Sequence, residues 1–177
     1  MNLYFHGSPI SHLRVLEPRL SNHKESFVYL SSNYSVSLLY TVRCNWYTYG
    51  FVEQSNKLEY TEYYENQLFD LYESKSGSVY ECVNAGIFEN PTNIHCAYVF
   101  RTNVAVQNET FIENVYLEIL KQEECGEIVI KRFSDLNVRE IQSIQKQVRS
   151  EYIKEIEKNT NSEYLLFLES KFQSILS

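Results

Sequence analysis

The chain has no C-x-x-C pair. Cys44, Cys82, Cys96 and Cys125 are scattered, and His6, His12, His23 and His95 are equally dispersed, so no cluster has the spacing of a metal site and no disulfide framework is indicated. Buried free thiols and no bound metal are expected instead. No run of eighteen apolar residues is present, and no basic N-terminal segment precedes a long apolar stretch. That gives no sign of a transmembrane helix or signal peptide, and a cytoplasmic protein without a membrane partner is expected. The chain also lacks a basic patch. Its 16 Lys and Arg stand against 23 Asp and Glu, a formal net charge of -7 that repels phosphate backbones, so no nucleic-acid partner is expected. No repeat or low-complexity linker interrupts the 177 residues, which suit one domain, with 134–177 as a helical extension at its C-terminal end. Glycine is scarce at five residues, whereas fifteen Tyr and ten Phe are many, so aromatic rings must be wet or must line something.

Residues 2–6 read as a first strand and Phe27 to Leu30 as a second, with Ser31, Ser32 and Asn33 offering caps for a helix running to about Arg43. Within that helix Val36, Leu39 and Tyr40 share a face. Strand formers from Trp46 to Val52 and from Leu58 to Tyr64, around the polar turn Glu53-Gln54-Ser55-Asn56-Lys57, predict a hairpin loaded with aromatics. Those rings either cover one sheet face through cross-strand packing or form a wall for an acceptor. Asn66 to Ser74 reads as a short helix stopped near Gly77, then Ser78 to Val83 as a strand. A strand pair is expected around Cys96 to Phe100 and Val104 to Val106.

After Thr110 the spacing of Phe111, Val115 and Ile119 predicts a helix up to Cys125-Gly126, and Glu127 to Phe133 alternates as a strand. Asn137 with Glu140, and Thr160 with Glu163, have capping-box spacing. Val138, Ile141, Val148, Tyr152 and Ile156 then make a core-facing stripe.

Chemistry concentrates where LYFHGSP ends the first strand on an imidazole and VYLSSNYSVSLLYT carries two tyrosines eleven positions apart. A lone strand-end histidine is usually a surface or hydrogen-bonded residue, and Tyr40 alone reads as core. The joint pattern of His6-Gly7-Ser8, then Tyr29, then Ser37 and Tyr40 resembles the histidine-tyrosine-glutamate branch of ADP-ribosyltransferases, the diphtheria-toxin-like class. The resemblance implies an α+β fold with a split, mostly antiparallel sheet and a cleft. It implies NAD as the substrate, held by the His6 side chain at the adenosine ribose and by Gly7 and Ser37 at the nicotinamide carboxamide, with Ser8 beside them. Tyr29 and Tyr40 would sandwich the nicotinamide ring. The likeness covers residues 2–43 well and 78–110 loosely.

Family members place a glutamate on their fifth strand, and NETFI, residues 108–112, is similar to that segment, making Glu109 the first choice for the acid. Glu109 also suits the first turn of a following helix, where the helix dipole favours an acid. A looser resemblance links Val79-Tyr80-Glu81-Cys82-Val83-Asn84-Ala85-Gly86-Ile87-Phe88-Glu89-Asn90 to the small bacterial rifampin ADP-ribosyltransferases. It makes Glu89 the second choice.

Together these readings describe transfer of ADP-ribose from NAD to a protein or small-molecule acceptor of unknown identity. An NAD glycohydrolase and an inactive nucleotide- or protein-binding module of the same fold are the alternatives. Relatives of the RNA 2'-phosphotransferases are disfavoured by the acidic balance.

Overall fold

Leu3 to Ser8, with the strand formers Tyr4 and Phe5, forms β1, which ends two residues beyond the expected 2–6. The computed structural model describes residues 3–20, 25–53, 55, 57–83, 90, 92, 94–158 and 161–177; Glu89 and Thr160 lie outside them. Further along the chain come β2 (Val15–Leu16), β3 (Arg19–Leu20), β4 (Ser26–Ser31), α1 (Tyr34–Leu39), β5 (Tyr49–Phe51), β6 (Leu58–Thr61), α2 (Gln67–Tyr72) and β7 (Gly77–Val83). Then follow β8 (Ala97–Phe100), β9 (Val104–Ala105), β10 (Asn108–Ile112), α3 (Val115–Glu124), β11 (Ile128–Lys131), a 3₁₀ turn Phe133–Asp135, α4 (Val138–Glu157), α5 (Glu163–Lys171) and α6 (Gln173–Leu176). The protein is α+β, and its chain groups into one unit of Met1–Arg43 with Leu71–Glu127 and another of Cys44–Asp70 with Ile128–Ser177.

In the first unit β1 pairs antiparallel with β7 from Leu3↔Val83 to Ser8↔Ser78, and β7 carries β10 on its other edge. On the opposite side β1 touches β4 at Phe5↔Ser31, after which the two strands part. β4 instead pairs with β8 over Val28 to Ser31 and with β3 at Ser26 and Phe27. One face of this sheet packs Tyr4, Tyr80, Cys82, Val28 and Leu30 into a core with Leu16, Phe100 and Val104. α1 lies against β1, β4 and β7 with Val36, Leu38 and Leu39 buried.

Three expectations change here. β8 and β9 are strands, but β8 pairs with β4 and β9 with β2, so they are not partners of each other. NETFI is a strand through Ile112, paired residue by residue with β7, and the helix begins only at Val115 behind an Asn114 cap. Phe111 fits the helical spacing by coincidence and is 52% exposed. α1 is also short, ending at Tyr40 and not at Arg43.

The second unit holds the antiparallel hairpin β5–β6 with β11 parallel to β6. Its aromatics are packing residues. Trp46 sits edge-on to Tyr63, Tyr164 and Phe172 at 5.2, 6.0 and 6.1 Å, and Tyr64 meets Phe172 at 5.6 Å. The Asn137–Glu140 capping box opens α4 as expected. Its buried side is Ile144, Val148 and Glu155, whereas Val138 and Ile156 are 70% and 50% exposed. The 3.6-residue period carries those two off the covered face. Ser162 caps α5, its hydroxyl accepting from the Leu165 amide.

Glu62 is the polar centre of this unit. It is buried, and its carboxylate accepts the Leu68 amide at the start of α2 at 3.0 Å and the Phe133 amide at 3.1 Å. Glu62→Ala would orphan both donors, so we expect a loss of about 2 kcal/mol or more. A lower urea midpoint with unchanged slope would show it.

Of the four free cysteines, Cys82 and Cys96 are buried as expected; Cys44 is half-buried and Cys125 exposed. Among the described residues no helix is long and apolar enough to cross a membrane.

Candidate functional site

Where β1 and β4 part, a cleft of about 550 Å³ opens within the first unit. His6, Gly7 and Ser8 form one wall and Tyr29 part of the other. Three successive residues of a strand reach the same space because β4 no longer covers that edge of β1; in a continuous sheet their side chains would alternate between faces. The imidazole is fixed by a bond across the opening, His6 Nδ1–H to the Tyr29 carbonyl at 2.8 Å. That bond sets the tautomer and leaves Nε2 as an acceptor. Burial holds the His6 pKa below its ordinary 6.5, against the raising effect of the Tyr29 bond, with nearby Arg19 lowering it further. The ring is therefore neutral at pH 7.

Gly7 is required by packing. A Cβ there would lie 1.8 Å from the Ser37 carbonyl oxygen and 2.9 Å from the Tyr40 carbonyl carbon, so the backbone of α1 abuts the cleft wall at this glycine. Ser37 is buried, while Tyr40 caps the helix end and is 37% exposed. Tyr40 therefore does not share the buried side of Val36 and Leu39. Neither Ser37 nor Tyr40 is part of the cleft wall itself.

Glu109 belongs to the same row of the sheet. His6 faces Tyr80 on β7, and Tyr80 faces Glu109 on β10, so all three side chains project from one face. Its place in a paired strand, five residues before the Asn114 cap, removes the helix first-turn reading. The His12 amide donates to both Glu109 oxygens at 3.0 and 3.1 Å, and the Ser78 hydroxyl donates at 2.7 Å. The Tyr80 hydroxyl has one proton, facing the Ile10 carbonyl at 2.6 Å and Glu109 at 3.2 Å, and accepts from the Leu13 amide. His12 holds a left-handed backbone, φ 64°, to present its amide this way. The Ser78 bond, followed by the His12 amide, keeps the Glu109 carboxyl below its ordinary value. Residues 10–13 thus bind Glu109, whose side chain is 21% exposed and is not part of the cleft wall.

The sequence singled out the β1 residues and Glu109 but not Tyr80, Ser78 or the 10–13 turn that hold Glu109. Only the β1–β7–β10 register brings them together, and VYECV as a string carries no sign of it.

Both shifts fix the sign of a pH effect. The folded values of His6 and Glu109 are lowered, so the folded state favours neutral imidazole and ionised carboxylate. The His6 contribution to stability is complete above 6.5 and is lost as pH falls through its folded value, and that of Glu109 disappears only below 4.5 in the same way. Ligand affinity at the cleft should be level from pH 8 to 6.5 and decline below, which calorimetric titrations carried from pH 8 down to about 5 would check.

No family model, curated protein or solved structure matches the chain.

Proposed function

We propose that the protein is an NAD-dependent mono-ADP-ribosyltransferase with an ADP-ribosyltransferase-like split sheet. The supporting observation is the cleft between the parted strands β1 and β4, where His6, Gly7, Ser8 and Tyr29 converge and His6 Nδ1–H bonds the Tyr29 carbonyl at 2.8 Å. His6 Nε2 is then the acceptor for an adenosine ribose hydroxyl. Tyr29 supplies a stacking face for the nicotinamide ring, whereas Tyr40 does not line the cleft and has no part in this reading. The Gly7 backbone takes the carboxamide, with Ser8 adjoining, and the buried Ser37 takes no part.

In the reaction the bond between ribose C1' and the nicotinamide nitrogen breaks, and its electron pair leaves with neutral nicotinamide. The cationic ribosyl carbon that remains is attacked by the acceptor's nucleophile, which gives up a proton. A carboxylate beside that carbon lowers the barrier, and Glu109, kept ionised by its hydrogen bonds, is the group assigned. With water as acceptor the same steps make an NAD glycohydrolase. The acceptor is a protein or a small molecule.

One observation favours a second reading, an inactive nucleotide- or protein-binding module: the Glu109 carboxylate is bound by the His12 amide and the Ser78 hydroxyl and does not line the cleft. Incubation with NAD separates the two. Nicotinamide release that His6→Ala removes supports the transferase. NAD binding without release supports a nucleotide-binding module, and neither binding nor release overturns both the transferase and the nucleotide-binding module.

A further inference from the structure

β3 is only two residues long, yet it fixes a cation at the cleft. Arg19 pairs directly with Phe27, so its side chain stands on the same face as Phe27 and, two residues on, Tyr29. Arg19 and Tyr29 both line the cleft, and the guanidinium is near enough to His6 to disfavour its protonated form. Among the described residues no carboxylate pairs with Arg19. Arg101, which does not line the cleft, is engaged elsewhere, meeting Glu25 at 2.5 Å and lying 4.8 Å over the Phe27 ring. An exposed guanidinium lining a cleft attracts anions in a chain of net charge -7, although the exposed Glu17 lines the same cleft.

We infer that Arg19 binds the diphosphate of the nucleotide in this cleft, beside Tyr29. The inference rests on the nucleotide reading of this cleft and adds to it the residue that selects for phosphate. A guanidinium suits the task because its planar fork meets two phosphate oxygens at once, which a lysine ammonium does not.

Calorimetric titrations with ADP and with adenosine, neither of which can react, test it on the wild type, Arg19→Ala and Arg19→Lys. Wild type should bind ADP about tenfold to a hundredfold more tightly than adenosine, and Arg19→Ala should lose that advantage with adenosine binding unchanged. Arg19→Lys should fall between. The ADP advantage should also shrink as salt rises from 0.05 to 0.5 M, both chosen as roughly bracketing physiological screening. Arg19 is exposed, so equal thermal melts should accompany these changes. With NAD, Arg19→Ala should raise KM and leave kcat unchanged. Equal ADP affinity in wild type and Arg19→Ala, or no ADP binding by wild type, overturns the inference. If wild type releases nicotinamide while Arg19→Ala keeps its KM, the inference fails and the transferase reading stands. If ADP binding depends on Arg19 but NAD is never cleaved, the phosphate site stands and the transferase reading fails.

Discussion

Glu109→Gln should slow nicotinamide release from NAD by a few hundredfold, roughly 3 kcal/mol of lost electrostatic stabilisation, while the melting temperature barely moves. The two outcomes part because Glu109 holds a loop as well as a charge. A carboxamide oxygen can still accept the His12 amide, which now lies 3.0 Å from Oε1, so residues 10–13 keep their anchor. What disappears is the negative charge. Glu109→Ala removes both, and should lower stability as well as rate, because the His12 amide and the Ser78 hydroxyl lose their acceptor. Single-turnover nicotinamide release alongside thermal melts of both variants distinguishes the roles. Equal melts and equal rates for wild type and Glu109→Gln would reduce Glu109 to a loop anchor. Glu89→Gln should spare release; the opposite pattern for the two glutamates would move the acid to residue 89.

Gly7→Ala should be among the most destabilising single substitutions in the chain, at about 3 kcal/mol, near the top of the range for inserting one carbon into a packed interior. The new methyl would meet the Ser37 carbonyl oxygen at 1.8 Å, and that oxygen belongs to helix backbone that accepts the Tyr40 amide. It cannot swing aside as a side-chain tip could. Either α1 lifts from the sheet or β1 bends, and both open the cleft wall. A fall of the urea midpoint together with loss of ligand binding would show this; an unchanged midpoint would mean that the helix does not approach β1 so closely. Packing alone accounts for a glycine at this place in His-Gly-Ser, so the side chains that carry the proposed function are those of His6, Tyr29, Arg19 and Glu109.

Local signals were legible in the sequence. Asn137 and Glu140 announced the start of α4, and Asn33 could be read as a helix cap, since each such bond joins residues within three positions. His6 could be placed on a strand near a turn, and Tyr29 on a second strand, by residue type and alternation alone. Arg19 could not, because a two-residue strand has no periodicity and exists only through its pairing with Phe27 and Ser26. The parallel pairing of β11 with β6 was hidden for the same reason: its partners are about seventy residues apart, as Ile128↔Leu58.

By itself the sequence determined which residue types stood available for chemistry, the caps of its helices and the α+β mixture, because propensity and capping act between near neighbours. Only the tertiary structure decided that β4 leaves β1 after a single pairing, that Arg19 and Tyr29 share the resulting cleft, and that Glu109 lies in one row with Tyr80 and His6. Those facts come from strand register and from where a sheet divides, which depend on competition among distant partners for the same backbone donors and acceptors.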